Sequence, residues 1–161
     1  MFDFSDPQAV QAWRALDDRV MGGVSRSALI QDPAGHAVFQ GTVSLANNGG
    51  FASVRSTPAD RGLAGARQCL VEMSGEPRVY TLGLLMEDGL NSAHYQATFV
   101  SDLVWQTVAL PIAGFRATFR GRSLPDAPPL DPARIRQVGL LISNRQAGPF
   151  ALRLRHISLV A

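Results

Sequence analysis

The stretch Tyr95-Gln96-Ala97-Thr98-Phe99 and, four residues on, Val104-Trp105-Gln106-Thr107-Val108 alternate apolar with polar side chains. A period of two is the mark of a strand with one face buried, because successive side chains point to opposite sides of the backbone. Val138-Gly139-Leu140-Leu141-Ile142 is apolar in both phases, as a central strand covered on both faces would be. Read outward from these, the chain divides into strands over 28–31, 36–44, 51–57, 68–74, 79–86, 95–101, 106–110, 138–143 and 150–160. The breaks between them carry turn chemistry, including Asp32-Pro33-Ala34-Gly35, Asn47-Asn48-Gly49-Gly50 and Glu87-Asp88-Gly89. Many short strands with few helices imply an all-β antiparallel β-sandwich or barrel.

Phe2 and Phe4 alternate with Asp3, a short strand signal. Asp6-Pro7 then offers an N-cap and a first-turn proline, and Val10, Trp13 and Leu16 follow at helical spacing, so a short N-terminal helix is expected over about residues 7–13. Asp131-Pro132 caps one helical turn through Gln137. The proline-rich stretch 123–132 reads as a surface loop. In the last strand Phe150, Leu152 and Leu154 share one face, but Ile157 and Leu159 fall on the face of Arg153 and Arg155. Either a bulge near His156 or burial of both faces at the strand end accounts for that phase change.

Composition bounds the chemistry. With 161 residues the chain fits one domain, 1–161, and 46% hydrophobic against 17% charged residues is ordinary globular composition. All 15 basic residues are arginine, which removes lysine-dependent mechanisms: Schiff bases, pyridoxal phosphate, a phosphate-loop lysine. The pI of 9.3 overstates the basicity. The net charge is only +2, and without lysine little titrates between histidine and arginine, so nucleic-acid binding is not expected. Cys69 is alone, so there is no internal disulfide or cysteine cluster, and an inert buried thiol is expected. His36, His94 and His156 stand apart from one another and no H-E-x-x-H occurs, so neither metal nor cofactor is expected. The N-terminus has no basic region followed by an apolar one, and no apolar run approaches the roughly 20 residues of a membrane span. An arginine-only chain points to a GC-rich bacterial genome, and the want of a signal segment and of a membrane span points to a cytoplasmic protein.

No G-x-S-x-G elbow is present. Asp17-Asp18, the one adjacent acidic pair, reads as a solvated loop feature. No catalytic residue is assigned, and the chain is not expected to be an enzyme. Trp13, Tyr80, Tyr95 and Trp105 belong either to the core or to a stacking platform for a sugar, and their exposure discriminates the two.

Trp13…Asp18-Arg19-Val20-Met21-Gly22-Gly23-Val24-Ser25-Arg26-Ser27 resembles the opening motif of the complex I intermediate-associated protein 30 family. The segment from Phe39 through Asn47-Asn48-Gly49-Gly50-Phe51-Ala52-Ser53-Val54-Arg55 resembles its second. Blocks at Tyr80, Tyr95…Phe99, Trp105…Leu110-Pro111, Phe115…Arg122 and Asn144-Arg145-Gln146-Ala147-Gly148-Pro149-Phe150 follow in family order. Two places depart from the pattern. Asn144-Arg145 stands where an acidic residue and lysine are usual, and Ser74-Gly75-Glu76-Pro77 where a Gly-Asp-Gly-like turn is usual. The resemblance implies a galactose-binding-like jelly roll. It also implies a non-enzymatic assembly factor, chaperone-like, for respiratory complex I, the NADH:quinone oxidoreductase, with a complex I subunit or assembly intermediate as protein partner. The alternative is a carbohydrate or small-ligand binding module.

Asp18, Ser25, Asn47, Asn48, Arg55, Arg145 and Gln146 are the candidate partner- or ligand-binding residues, expected to form one polar surface cluster. In particular Asn47/Asn48 and Arg145/Gln146 are expected to approach each other on one side of the sandwich, where an arginine fork and amides would receive a carbonyl or anion. One glycine in each of the pairs Gly22-Gly23 and Gly49-Gly50 is expected at positive φ.

Overall fold

The period-two segments become two facing antiparallel sheets. A computed structural model of the chain describes residues 1–18, 22–89, 92–143 and 146–161, apart from the side chain of Asn48. Its strands are β1 (Phe2–Asp3), β2 (Trp13–Ala15), β3 (Arg26–Asp32), β4 (His36–Val43), β5 (Ala52–Ser56), β6 (Gln68–Gly75) and β7 (Val79–Leu85). They continue with β8 (His94–Val100), β9 (Gln106–Pro111), β10 (Arg116–Phe119), β11 (Arg122–Ser123), β12 (Gln137–Ile142) and β13 (Gly148–Val160). One sheet has the order β3-β4-β13-β6-β9, with β1 beside β13, and the other β11-β10-β8-β7-β12-β5-β2.

All nine strands expected from the sequence are present, within a few residues at their ends. Three short ones were not foreseen. β2 holds only three residues, and β10 and β11 form a hairpin around Arg120 and Gly121, at φ 49 and 79. Positive φ at both central residues gives the turn the twist that a tight hairpin needs.

The N-terminal helix is a correction. Ala9–Ala12 forms a single 3-10 turn, and Trp13 is already extended at φ −116, ψ 145. Asp6 closes a local turn by accepting the Gln8 N–H at 2.9 Å and caps no longer helix. A helix of one or two turns returns too few hydrogen bonds for its nucleation cost. Trp13 gains more by starting β2, where it pairs with Ser56 of β5, and by packing its ring 5.0 Å from Phe2 and 6.2 Å from Phe4. The turn at Asp131 is likewise shorter than expected, a 3-10 turn over Pro132–Arg134, with the Asp131 carboxylate accepting the Ala133 N–H at 3.0 Å.

β13 is the spine of the six-stranded sheet. It pairs with β4 over its first half and with β6 and β1 further on. Its register against β6 slips between Leu154 and His156, leaving Arg155 as the extra residue. This is the expected bulge: Phe150, Leu152 and Leu154 are buried before it, and Ile157 after it.

The core lies between the sheets. Phe39 on β4 packs 4.9 Å from Phe150 on β13 and 6.1 Å from Tyr80 on β7, and Tyr80 stacks 6.0 Å from Phe99 on β8. This aromatic group joins the two layers. Phe39→Ala should lower the unfolding free energy by about 3–5 kcal/mol, the usual cost of emptying a buried aromatic site. Phe39→Leu should cost clearly less. Urea titration checks both, and equal losses would mean that the ring's volume is not what matters there.

Candidate functional site

The adjacent acids Asp17 and Asp18 follow β2 directly, and both are buried. Leu16 keeps the β2–β5 ladder going by donating its N–H to the Ser53 carbonyl at 2.8 Å. Asp17 then accepts the Ser27 N–H at 2.9 Å, the Ser27 hydroxyl at 2.5 Å and the Ser53 N–H at 2.9 Å. Ser27 lies on β3 in one sheet and Ser53 on β5 in the other, so this single carboxylate ties the two sheets along one side of the sandwich.

Asp18, the next residue, joins the segments that lead into β3 and β5. It accepts the Ser25 N–H at 2.9 Å and hydroxyl at 2.6 Å, the Gly50 N–H at 2.7 Å and the Phe51 N–H at 3.3 Å. Ser25 Oγ in turn accepts the Ser44 N–H at 2.9 Å. Burial pushes the Asp18 carboxyl upward. The hydrogen bonds from Ser25, Gly50 and Phe51 more than offset this and hold it below the ordinary 3.8.

The four nearby glycines divide between two needs. Gly22 at φ +87 and Gly50 at φ +143 take backbone that disfavours a side chain, as expected for one member of each pair. At Gly23 a β-carbon would stand 2.5 Å from Asp18 Oδ1, and at Gly49 2.5 Å from Asp18 Oδ2. These two are glycine because the carboxylate occupies the space.

The structure distributes the candidate residues over two places. Asp18 and Ser25 are in direct contact and lie below the surface. Asn47 is exposed at φ 57 on the loop between β4 and β5. Val43 pairs with Gly148 and Ala52 with Ile142, so that loop and the connection from β12 to β13 leave from the same end of the sandwich. Gln146 belongs to that end. Its amide accepts the Val79 N–H at 3.0 Å and donates to the carbonyls of Val79 at 2.9 Å and Ser143 at 2.8 Å. It occupies the backbone groups of Val79 at the start of β7, ahead of the first residue that β12 pairs with. Arg145 and the side chain of Asn48 lie outside the described residues.

Arg55 stands apart, on the outward face of the seven-stranded sheet. Its Nη2 is 3.3 Å from His94 Nε2, and its Nη1 is closed off from solvent with no hydrogen-bond partner among the described residues. Burial, together with the neighbouring Arg55 charge, pulls His94 down to about 4. The imidazole is therefore neutral near pH 7, and Nε2 accepts from the guanidinium.

Tyr80 and Tyr95 are buried in the core, as is Trp13. Trp105 is half-buried, with the Arg155 guanidinium 3.8 Å from its ring centroid and that of Arg153 at 5.1 Å. The faces of these rings are thus taken up within the protein. Cys69 is buried and its thiol is pushed up to about 12 by burial, which makes it unreactive. An open cleft of about 640 Å³ lies between the proline-rich loop and β10, where Tyr95 donates its hydroxyl to the Pro128 carbonyl at 2.5 Å. Among the described residues no group of His, Cys, Asp and Glu has the arrangement of a metal site, and no helix is long and apolar enough to cross a membrane.

Two acid-sensitive steps are expected. His94 has a folded pKa below its ordinary 6.5, so the unfolded chain binds more protons and stability falls as pH drops from about 6.5 to 4. Asp18 is held below 3.8, so its contribution is intact above that value and is lost on further acidification. Melting temperature against pH should fall over both windows. His94→Gln should flatten the upper one and Asp18→Asn the lower, and a wild-type curve that is level from pH 7 to 4 would contradict the first. Gly23→Ala should destabilise by about 1–3 kcal/mol through overpacking against Asp18, measurable by urea denaturation at pH 7.

Residues 2–154 match the complex I intermediate-associated protein 30 family. An uncharacterised protein of Schizosaccharomyces pombe is 29% identical over 93% of this chain and 78% of its own length. Among solved structures, the chain is similar to the family 11 carbohydrate-binding module of Clostridium thermocellum in complex with a β-1,3-1,4-mixed-linked tetrasaccharide. That likeness has a TM-score of 0.76 and 15% identity, and covers 100% of this chain and 94% of that one. The family 11 module of the cellulosomal cellulase Lic26A-Cel5E of the same organism gives a TM-score of 0.73 at 16% identity, covering 100% and 93%. At such identities the likeness speaks for the fold alone, a galactose-binding-like jelly roll. By a match that spans both aspartates, the glycine pairs and the strands they join, the chain belongs to the complex I intermediate-associated protein 30 family.

Proposed function

We propose that the protein is a non-enzymatic assembly factor for respiratory complex I that works by contact with a protein partner, a complex I subunit or assembly intermediate. The observation that carries this reading is the family match over residues 2–154. Two physical features support it. The side chains that would stack on a sugar are buried or covered by arginine, which weakens the carbohydrate alternative, since sugar rings bind largely through exposed aromatic faces. The end of the sandwich carrying Asn47 is braced by the Asp18 hydrogen bonds to Gly50 and Phe51, so its polar groups are held in position before any partner arrives, which lowers the ordering cost of binding.

In this reading Asn47, Asn48 and Arg145 meet the partner, while Asp18, Ser25 and Gln146 hold the loops that carry them. Asn47→Gly is the informative substitution. It removes the amide but suits the φ of 57 at that position, so the melting temperature should stay within a few degrees of wild type. Expressed in source cells that lack the gene, Asn47→Gly and Arg145→Ala should each reduce assembled complex I on native gels relative to the wild-type gene. Normal complex I in cells lacking the gene altogether would remove the assembly reading. Normal complex I with both folded variants would remove the loop surface while leaving the assembly role in place.

A further inference from the structure

The six-stranded sheet ends on β3 at one side and on β9 at the other. The β3 edge gives its Ser27 N–H to Asp17 and carries Arg26 and Asp32 at its ends. The edges of the other sheet, β2 and β11, hold three and two residues, each with an arginine. β9 is different. It has six residues, pairs only with β6 and carries no charged side chain. The whole stretch from Leu103 through Phe115 is uncharged. Exposed edges are normally blunted by charge, a bulge or brevity, because their open backbone groups pair with other chains.

The direction of the open groups follows from the ladder. Ile112 donates its N–H to the Arg67 carbonyl at 2.9 Å, so Leu110, Val108 and Gln106 also turn their N–H and C=O groups toward β6. Thr107 and Ala109 turn theirs outward, and both residues are exposed. Among the described residues nothing bonds to these outward backbone groups. Pro111, the next in the outward set, offers a carbonyl and no N–H. Just ahead of the strand, Leu103 and Val104 are 62% and 72% exposed, more than any other large apolar side chain among the described residues. Asp102 precedes them. At the far end Arg116 donates to the Ala113 carbonyl at 3.3 Å, which holds its guanidinium beside the end of the uncharged stretch.

We propose that β9 pairs antiparallel with β9 of a second copy of this chain, about a two-fold axis at Val108, so that the six-stranded sheets of the two copies become one continuous sheet. Thr107 of one copy then stands opposite Ala109 of the other, and each such pair exchanges both of its N–H···O=C bonds. This is the register in which the two outward residues of the strand meet each other. A shift either way would set one of them against Trp105, which lies outside the strand, or against Pro111, which lacks the N–H. The same pairing lays Leu103 and Val104 beside residues 112–113 of the other copy, which covers the apolar side chains that a single chain leaves in water. It also brings Asp102 of one copy toward Arg116 of the other at both ends, because the acid precedes the uncharged stretch and the arginine follows it. That self-complementarity of charge and apolar surface about a two-fold axis selects a second copy over a foreign strand. Strand pairing buries little area, so the dimer is expected to be weak, with a Kd on the order of 10 µM. The proposal is independent of the complex I reading.

The test is sedimentation velocity of the full chain from about 1 to about 300 µM, a range that brackets a Kd of that order. The wild-type chain should pass from monomer to dimer across it. Ala109→Pro removes an outward N–H that no bond within the chain uses, and an edge strand tolerates proline at such a position. It should keep the wild-type circular dichroism and remain monomeric throughout. Thr107→Lys, at an exposed position, sets like charges near the axis and should do the same without touching the backbone. Val108→Cys reads the register. Across the axis residue 108 meets its own copy in a non-hydrogen-bonded pair, with Cα atoms about 4.5 Å apart, which a disulfide can bridge. It should cross-link under mild oxidation, with the native Cys69 buried and inert. Thr107→Cys should not, since its two copies are offset along the strands beyond the roughly 7 Å that a disulfide spans. A wild-type chain still monomeric at the top of the range would overturn the proposal and leave the edge to a strand of another protein. A dimer that persists in both Ala109→Pro and Thr107→Lys, or failure of Val108→Cys to cross-link, would overturn it equally.

Discussion

Two carboxylates that form no ion pair among the described residues hold this sandwich closed along one side. Asp17 and Asp18 are buried, and their charge is met by N–H and O–H groups of Ser25, Ser27, Gly50, Phe51 and Ser53. Each donor is fixed by a strand or a tight loop, so the acids receive an environment organised before they enter it. A sandwich normally relies on apolar packing between layers, which has no direction. Here seven directed hydrogen bonds set how far β2 and β3 stand apart and where the chain from β4 must turn to begin β5. The nearby glycines follow from this, because the loops can approach the carboxylates only where no β-carbon intervenes.

The strand pattern was open to a reader of the sequence because one-face burial leaves a period of two in the residues themselves. Even the bulge of β13 appeared as a phase change between Leu154 and Ile157. The short elements were less visible. Three residues at Trp13–Ala15 carry no period, and Val10, Trp13 and Leu16 imitate one helical face, although Trp13 is drawn into the sheet by Phe2, Phe4 and Ser56. Asp17 and Asp18 looked solvated because adjacent acids usually are, and their partners lie up to 36 residues away. The D-D and S-x-S spacing, with paired glycines between, was the available sign.

β13 comes after every other strand in the sequence and yet stands in the middle of its sheet. β4 and β6 share no ladder with each other and are joined only through residues 148–160. As the chain leaves the ribosome, the hairpin of β3 and β4 and the pair β6 and β9 can form early, each presenting one bare backbone edge and an apolar face with Phe39 or Met73. These two halves have to wait for the last strand to slide between them. Synthesis therefore passes through an interval in which two open edges of the same chain are displayed together, with no covalent obstacle to pairing with a neighbouring nascent chain. Slow translation through 148–160 would lengthen that interval, and crowded polysomes would be where the molecule is most easily lost.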